Sequence, residues 1–290
     1  MYDTLHIMRS ITLMAPAKLN LHLRIGGGRP DGFHGLESIF VALAFGDTLR
    51  VECLPQADTL KIRAAGRFAC GLADTPAPRN LVGRAAALFR ERTGFKQGLR
   101  ARLVKRIPLG GGLGGGSSDA AAMLLALNIL SAAGGGVRLD DAELAALGAA
   151  LGSDVPFFLA NTPAAWVSGR GERIQPIAAP SRLWFVLVNP GIPSGTQAAF
   201  RLLDEYRARV PGAGKAASLA GDSAALIGAL AADPCSWPFE NDFLPVLRAC
   251  SKFYLAGSIE PKVRRARKSG FLRSIGRKNP QFEQALRITK

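Results

Sequence analysis

The chain has 290 residues, 48% hydrophobic and 20% charged, a balance that excludes general disorder and leaves room for two domains with sizeable cores. Its formal charge of +15 suggests a nucleic-acid partner, but residues 251–290 hold 11 Lys and Arg against 2 Glu, leaving 26 basic and 20 acidic residues, +6, in the first 250. A mildly basic body suits an anionic small molecule, and the terminal PKVRRARKSGFLRSIGRK reads as a solvated basic tail or a non-specific polyanion contact.

In chain order, Ile11–Ile25 alternates Leu13, Leu19, Leu21, Leu23 and Ile25 before the turn cluster GGGRPDG, which predicts a strand with Lys18 and Asn20 on one face. LESIFVALAFGDTLRVECL gives further strand pattern, broken at Gly46 and Asp47. NLVGRAAALFRERT, residues 80–93, has helical spacing of Leu81, Ala85, Leu88 and Phe89, and LRARLVKRI is a short strand stopping at Pro108. Six glycines then fill the seven positions 110–116. So much lost backbone freedom signals a close approach to something or positive φ angles.

Ser117, Ser118 and Asp119 precede the apolar AAAMLLALNIL and are predicted as N-caps of a helix closed by Gly134–Gly136. LDDAELAALGAALG is a second helix, capped near Asp140 or Asp141. Residues 165–178 and 183–188 read as strands, and TQAAFRLLDEYRARV from Thr196 as a helix. Pro, Gly and Ala connectors at 211–234 mark a looser region. The domain boundary is placed near residue 170, giving units 1–170 and 171–290.

The four cysteines, Cys53, Cys70, Cys235 and Cys250, form no CxxC pair, which argues for a reducing compartment and against a zinc site or disulfide framework. No uninterrupted apolar run reaches the roughly 18–20 residues that span a bilayer, and the opening MYDTLHIMRSITLMAPAK lacks a signal-peptide cleavage pattern. A cytoplasmic location is therefore expected. Met1, Met8 and Met14 are alternative starts.

A strand, a glycine loop and a helix N-terminus in succession bind phosphate well: backbone N–H groups point at the anion and the helix dipole favours its charge. The GxGxxG match at Gly110, Gly112 and Gly115 lacks the acidic residue of a dinucleotide site, and no lysine completes a Walker A loop. PLGGGLGGGSSDAAA, with APAKLNLHL at 15–23, GRPDGFHGLESIF at 28–40 and LGSDVPFFL at 151–159, resembles the GHMP kinases, and the four motifs stand in that family's order. The resemblance covers about Met14 to Leu247.

It implies a two-domain α+β fold, with an N-terminal domain like domain 2 of ribosomal protein S5 and a ferredoxin-like C-terminal domain. It also implies ATP-dependent phosphorylation of the 2-hydroxyl of a cytidine-diphosphate-linked methylerythritol, with Mg2+. From hydropathy no membrane partner is expected, and the mildly basic body disfavours a nucleic-acid one. By the same resemblance Asp154 is the catalytic base and Lys18 its cationic neighbour. Pro108, Gly110, Gly111, Gly112, Leu113, Gly114, Gly115, Gly116, Ser117 and Ser118 hold the nucleotide, Ser117 and Ser118 offering hydroxyls to phosphate or magnesium. Phe33 and Phe200 would sandwich the base, His34 would read its edge, and Asn20 and Thr196 would contact the acceptor. The metal ligands stay unassigned. Taken alone, Asp154 reads equally as a turn or cap residue, Lys18 as a solvated strand side chain and Phe200 as a core residue.

The sequence departs from the family after ENDFLPVLRAC. Members carry a third glycine motif of the form SG[ST]GxCVF, for which LAGSIEP is a faint echo. A divergent or frame-shifted ending is the expectation, with reduced stability and weakened or absent activity as its consequence; the alternative is a catalytically impaired nucleotide- or polyanion-binding protein.

Overall fold

The computed structural model describes residues 9–29, 32–69, 79–179, 183–187, 195–210, 223–250 and 285–287; at 184, 196, 247–250 and 285–287 it describes the backbone alone. Residues 1–8, Cys70, the LAGSIEP stretch and nearly all of the basic tail lie outside the described residues.

One long strand organises the sheet. β2 (His34–Ala57) takes β1 (Ser10–Gly28), antiparallel, along one edge. Its other edge takes β4 (Gln97–Val104) at one end and β5 (Ala164–Ser168) at the other, both antiparallel. β3 (Leu60–Ala65) adds parallel to β4, and β6 (Arg173–Pro176) antiparallel to β5.

The predicted break at Gly46 and Asp47 is not found: β2 runs through both. Gly46 lies against β1 so closely that a Cβ there would stand 2.2 Å from the Ala15 carbonyl oxygen. The strand is nonetheless irregular just before Gly46: Pro16 faces Gly46 but Lys18 faces Ala42, so β2 carries two extra residues there, a bulge that re-aims the residues beyond it.

Period-two alternation gives the sheet two unlike faces. Ile11, Leu13, Leu49, Val51, Leu99, Ala101, Leu103, Leu60 and Ile62 form the inner face. Against it pack α1 (Leu81–Thr93), α2 (Gly115–Ala133), α3 (Asp141–Leu151) and the short α4 (Val155–Leu159). α1 starts at Asn80, whose side chain accepts from the Val82 N–H, and α3 at Asp140, in a capping box with Glu143; each cap contributes about 1 kcal/mol.

α2 is the central helix, with Met123, Leu124 and Leu127 fully buried, each contributing about 2 kcal/mol of transfer energy. It is the one described helix long and apolar enough to cross a membrane, and 67% of it is buried within the protein. Ser117, Ser118 and Asp119 are not its caps: the N-cap is Gly114, without a side-chain cap bond. The helix therefore begins three to five residues earlier than predicted, which puts these polar residues inside its first two turns.

Beyond the sheet lie β7 (Trp184–Val186), paired antiparallel with β8 (Ala285–Arg287), and the helices α5 (Thr196–Arg209), α6 (Ser223–Ala229) and α7 (Phe243–Cys250). α6 occupies part of the predicted connector region; residues 211–222 lie outside the description. Leu203 and Val246 bury against Leu23 and Ile25 of β1. The Asp242 carboxylate accepts from the Ile25 N–H at 2.7 Å and from Arg207 at 3.0 Å. The same carboxylate thus fixes both the free end of β1 and α5.

A buried ionic cluster lies beneath the glycine loop. Lys105 donates to Asp47 and, at 2.7 Å, to Asp119 on α2, and all three are buried. Asp47 also accepts from the N–H groups of Arg106 and Ile107, at 2.5 and 2.9 Å. Burial pushes the Asp119 carboxyl up to about 7, Lys105 opposing and Asp47 adding to the rise.

Two predictions follow from this cluster. Lys105→Met leaves two facing carboxylates without their cation and should cost about 3–5 kcal/mol of unfolding free energy in urea titration. Because the folded value of Asp119 exceeds its unfolded one, its contribution to stability is full below the ordinary carboxylate range and is lost as pH rises through about 7. Asp119→Asn should therefore gain stability relative to the parent between pH 5 and pH 8; parallel pH–stability curves would contradict this.

Candidate active site

β4 ends at Val104, and the chain crosses Lys105 and the buried Ile107 before entering the loop at Pro108. Gly110, Gly112 and Gly114 have φ of 67, 70 and 70°, left-handed values that side chains resist. Gly114 is doubly constrained, since a Cβ there would lie 2.9 Å from the Phe158 ring and 3.0 Å from Lys18 Cγ. Leu113 anchors the loop by burying with Ala17, Leu43 and Ile107. Its carbonyl accepts the backbone N–H of Lys18 at 2.9 Å, so the loop is fastened to β1 at the residue that carries the ammonium.

α2 leaves the loop with its first backbone bond running from Ser118 N–H to Gly114. The N–H groups of Gly115, Gly116 and Ser117 precede that bond, so the helix itself supplies them no acceptor. The buried hydroxyl of Ser118 and the Oδ1 of Asp119 have no hydrogen-bond partner, an arrangement proteins rarely leave uncompensated.

Lys18 is buried on β1. Its Nζ donates to Asn20 Oδ1 at 2.9 Å, stands 3.6 Å from Asp154 Oδ2 and lies 4.4 Å above the Phe40 ring. Lys18 and Asn20 thus share a face, as their spacing predicts. Asp154 stands at the N-cap position of α4 but makes no cap bond with its side chain, which is 30% exposed. Its carboxylate is held by the ammonium and open to solvent on the other side. The structure thus brings Lys18, Asp154, Asn20 and the loop from Leu113 to Gly115 together.

The aromatic residues lie apart from that centre. His34 stacks on Phe200, 5.0 Å between centroids at 22°, and its Nε2 is 2.9 Å from Asp204 Oδ1. Phe200 also meets Phe243 edge-on at 5.1 Å. Phe33 is 49% exposed with the Arg170 guanidinium 4.9 Å over its ring. Phe33 and Phe200 thus each have another group on the ring. Thr196 opens α5, where only its backbone is described.

Sequence reasoning passed over Lys105, Asp47, Asp204 and Arg170. Arg170 sits in a tight turn: its N–H donates to Glu172 at 2.6 Å, the Gly169 carbonyl accepts from Leu36, and Gly171, at φ 117°, leaves no room for a side chain against Ser153. Nothing in the sequence of this turn located Phe33. Among the described residues no cluster of three or more His, Cys, Asp or Glu could hold a metal ion.

Residues 80–162 match the GHMP kinases N terminal domain. The 4-diphosphocytidyl-2-C-methyl-D-erythritol kinase of Parvibaculum lavamentivorans is 42% identical over 193 residues, 67% of this chain and 63% of that protein. The kinase of the same name from Symbiobacterium thermophilum is 42% identical over 233 residues, 79% of this chain and 77% of that protein. The chain spans about three fifths of the length of several such relatives, 60% in Alkalilimnicola ehrlichii. Among solved structures, a 4-(cytidine 5'-diphospho)-2C-methyl-D-erythritol kinase superposes with a TM-score of 0.61 at 35% identity, covering 82% of this chain and 78% of the other. The homoserine kinase of Cytophaga hutchinsonii gives 0.63 at 18% identity, covering 88% and 78%, a likeness of fold. With the glycine loop, the lysine–aspartate pair and this extent of identity, the chain belongs to the 4-diphosphocytidyl-2-C-methyl-D-erythritol kinase family of GHMP kinases.

Proposed function

We propose that the chain transfers the γ-phosphoryl group of ATP to the 2-hydroxyl of 4-diphosphocytidyl-2-C-methyl-D-erythritol. The observation that carries this reading is the Lys18–Asp154 pair at 3.6 Å, set beside a glycine loop bonded to the backbone of the same lysine. Phosphoryl transfer is governed by positioning and charge stabilisation, and these residues supply both.

In the proposed step the acceptor oxygen attacks the γ-phosphorus, the bond to the β–γ bridging oxygen breaks, ADP departs, and the hydroxyl proton passes to the Asp154 carboxylate. Lys18 pairs with that carboxylate beforehand and faces the charge that develops on the moving phosphoryl group. Pro108, the loop from Gly110 to Gly116, and Ser117 and Ser118 receive the donor phosphates. The unpartnered oxygens of Ser118 and Asp119 are hard donors of the kind magnesium accepts, so they fit a minor share of its ligands, the rest coming from phosphate and water. Bound there, the ion would neutralise charge on the donor phosphates.

At the acceptor end, Phe33 and Phe200 offer ring faces to the base, His34 its edge contact, and Asn20 and Thr196 polar groups for the alcohol. Arg170 on Phe33 and His34 on Phe200 would have to share those rings with it. We place the domain boundary near residue 170, in the turn before β6, and the chain in the cytoplasm with its substrates. A second reading, impaired turnover, is favoured by the absence of the SG[ST]GxCVF motif after Cys250. Restoring that motif should raise kcat, and equal rates would reject this second reading.

In a coupled ADP-release assay, kcat/KM for the cytidylated acceptor should exceed that for homoserine or mevalonate by at least about 100-fold, since a small alcohol leaves the contacts that read a base unmade. Equal or greater turnover of a small alcohol would overturn the assignment. Asp154→Asn and Lys18→Met should each lower kcat by about 10²–10⁴-fold, with KM for ATP changed far less; a loss confined to KM would contradict the assigned roles.

A further inference from the structure

The outer face of the sheet carries a charge pattern hidden in the overall composition. The registers of β1, β2, β4 and β3 place Thr12, Arg50, Arg102 and Arg63 in one cross-strand row, and Ser10, Glu52, Arg100 and Lys61 in the next. Arg106, just beyond β4, bonds Thr48 at 3.0 Å. Five arginines and a lysine therefore share one face. Glu52 is the single acid in these rows, and it pairs with Arg50 at 2.8 Å and Arg100 at 3.3 Å. Lys61, Arg63 and Arg102 are exposed. No described element covers this half of the sheet: the helices lie on the opposite face, and Phe185 and Leu187 around β7 pack at the other end, with Leu43 and Phe45.

Like charges set directly opposite one another destabilise a sheet, and a merely solvated face would relieve this by mixing signs. Here Arg50, Arg102 and Arg63 are immediate neighbours, about 4.8 Å apart across strands, and the next row lies about 6.7 Å along them. Such a lattice complements a polymer with closely spaced charges, and a nucleic-acid duplex carries one per roughly 1.7 Å of axis. Guanidinium groups, moreover, engage phosphate oxygens in pairs. The only large apolar groups exposed on this face are Met14 and Val104, at 49% and 36%. With no aromatic side chain there, the face neither stacks unpaired bases nor inserts into a bilayer interface.

We propose that the exposed face of β1, β2, β4 and β3 binds the phosphate backbone of a nucleic-acid duplex, without reading sequence. This surface lies on the side of the sheet away from the packed helices and is independent of the phosphotransfer reading.

The test is fluorescence anisotropy of the full chain with a labelled duplex of mixed sequence, titrated from 50 to 200 mM KCl. Arg63→Ala with Arg102→Ala should lower the slope of log K against log salt by about two and weaken binding roughly tenfold at 100 mM, with an unchanged thermal midpoint. The Arg63→Gln, Arg102→Gln pair, which keeps length and polarity, should do the same. A tail variant with Lys262, Arg264, Arg265, Arg267 and Lys268 changed to Ser should retain the face-dependent component. The proposal is overturned if duplex binding is absent at 50 mM, if it is lost only in the tail variant, or if the face variant affects binding to phosphatidylserine vesicles alone.

Discussion

A single backbone hydrogen bond, from the Lys18 N–H to the Leu113 carbonyl, ties the glycine loop to the first strand, and the site depends on it. The register shift after Pro16 releases Lys18 from the regular ladder, leaving its N–H free to reach the loop. Its side chain then runs under Gly114, where no Cβ could fit, and emerges at Asp154. The glycine loop and the Asp154 carboxylate are thereby referred to the same residue, which fixes their separation.

The ionic cluster beneath serves the same end from the other side. Asp47 accepts the two N–H groups that lead into the loop, and Lys105 joins it to the first turn of α2. Charges so buried contribute little net stability, but they orient what they touch. Strand, loop entrance and helix start become one rigid unit, while the region of His34 and Phe200 is built from ring contacts and the surface pair of His34 and Asp204.

Much of the fold was legible in the sequence because alternation and capping act locally. Leu13, Leu49 and Leu103 face the core as period two requires, and Asp140 caps the helix it precedes. The start of α2 was misread because Ser and Asp are such good caps that a glycine in left-handed conformation was passed over. Lys105 and Asp47 left a usable signal: each continues an inward phase, 99, 101, 103, 105 and 53, 51, 49, 47, so both point into the core at the same end of paired strands. A charge on a buried phase demands a partner, and each is the other's. The contact between Arg170 and Phe33 was illegible, because it is made across two loops whose approach depends on the whole sheet.

The central claim is that Lys18 and Asp154 act as one unit at the loop's mouth, and a double-mutant cycle on kcat tests it directly. Groups that work as a unit lose their joint contribution when either is removed. The account predicts that the chain with both Lys18→Met and Asp154→Asn is no slower than the slower single variant. A double variant whose loss equals the product of the two single losses would show that the residues act separately, and would contradict the account.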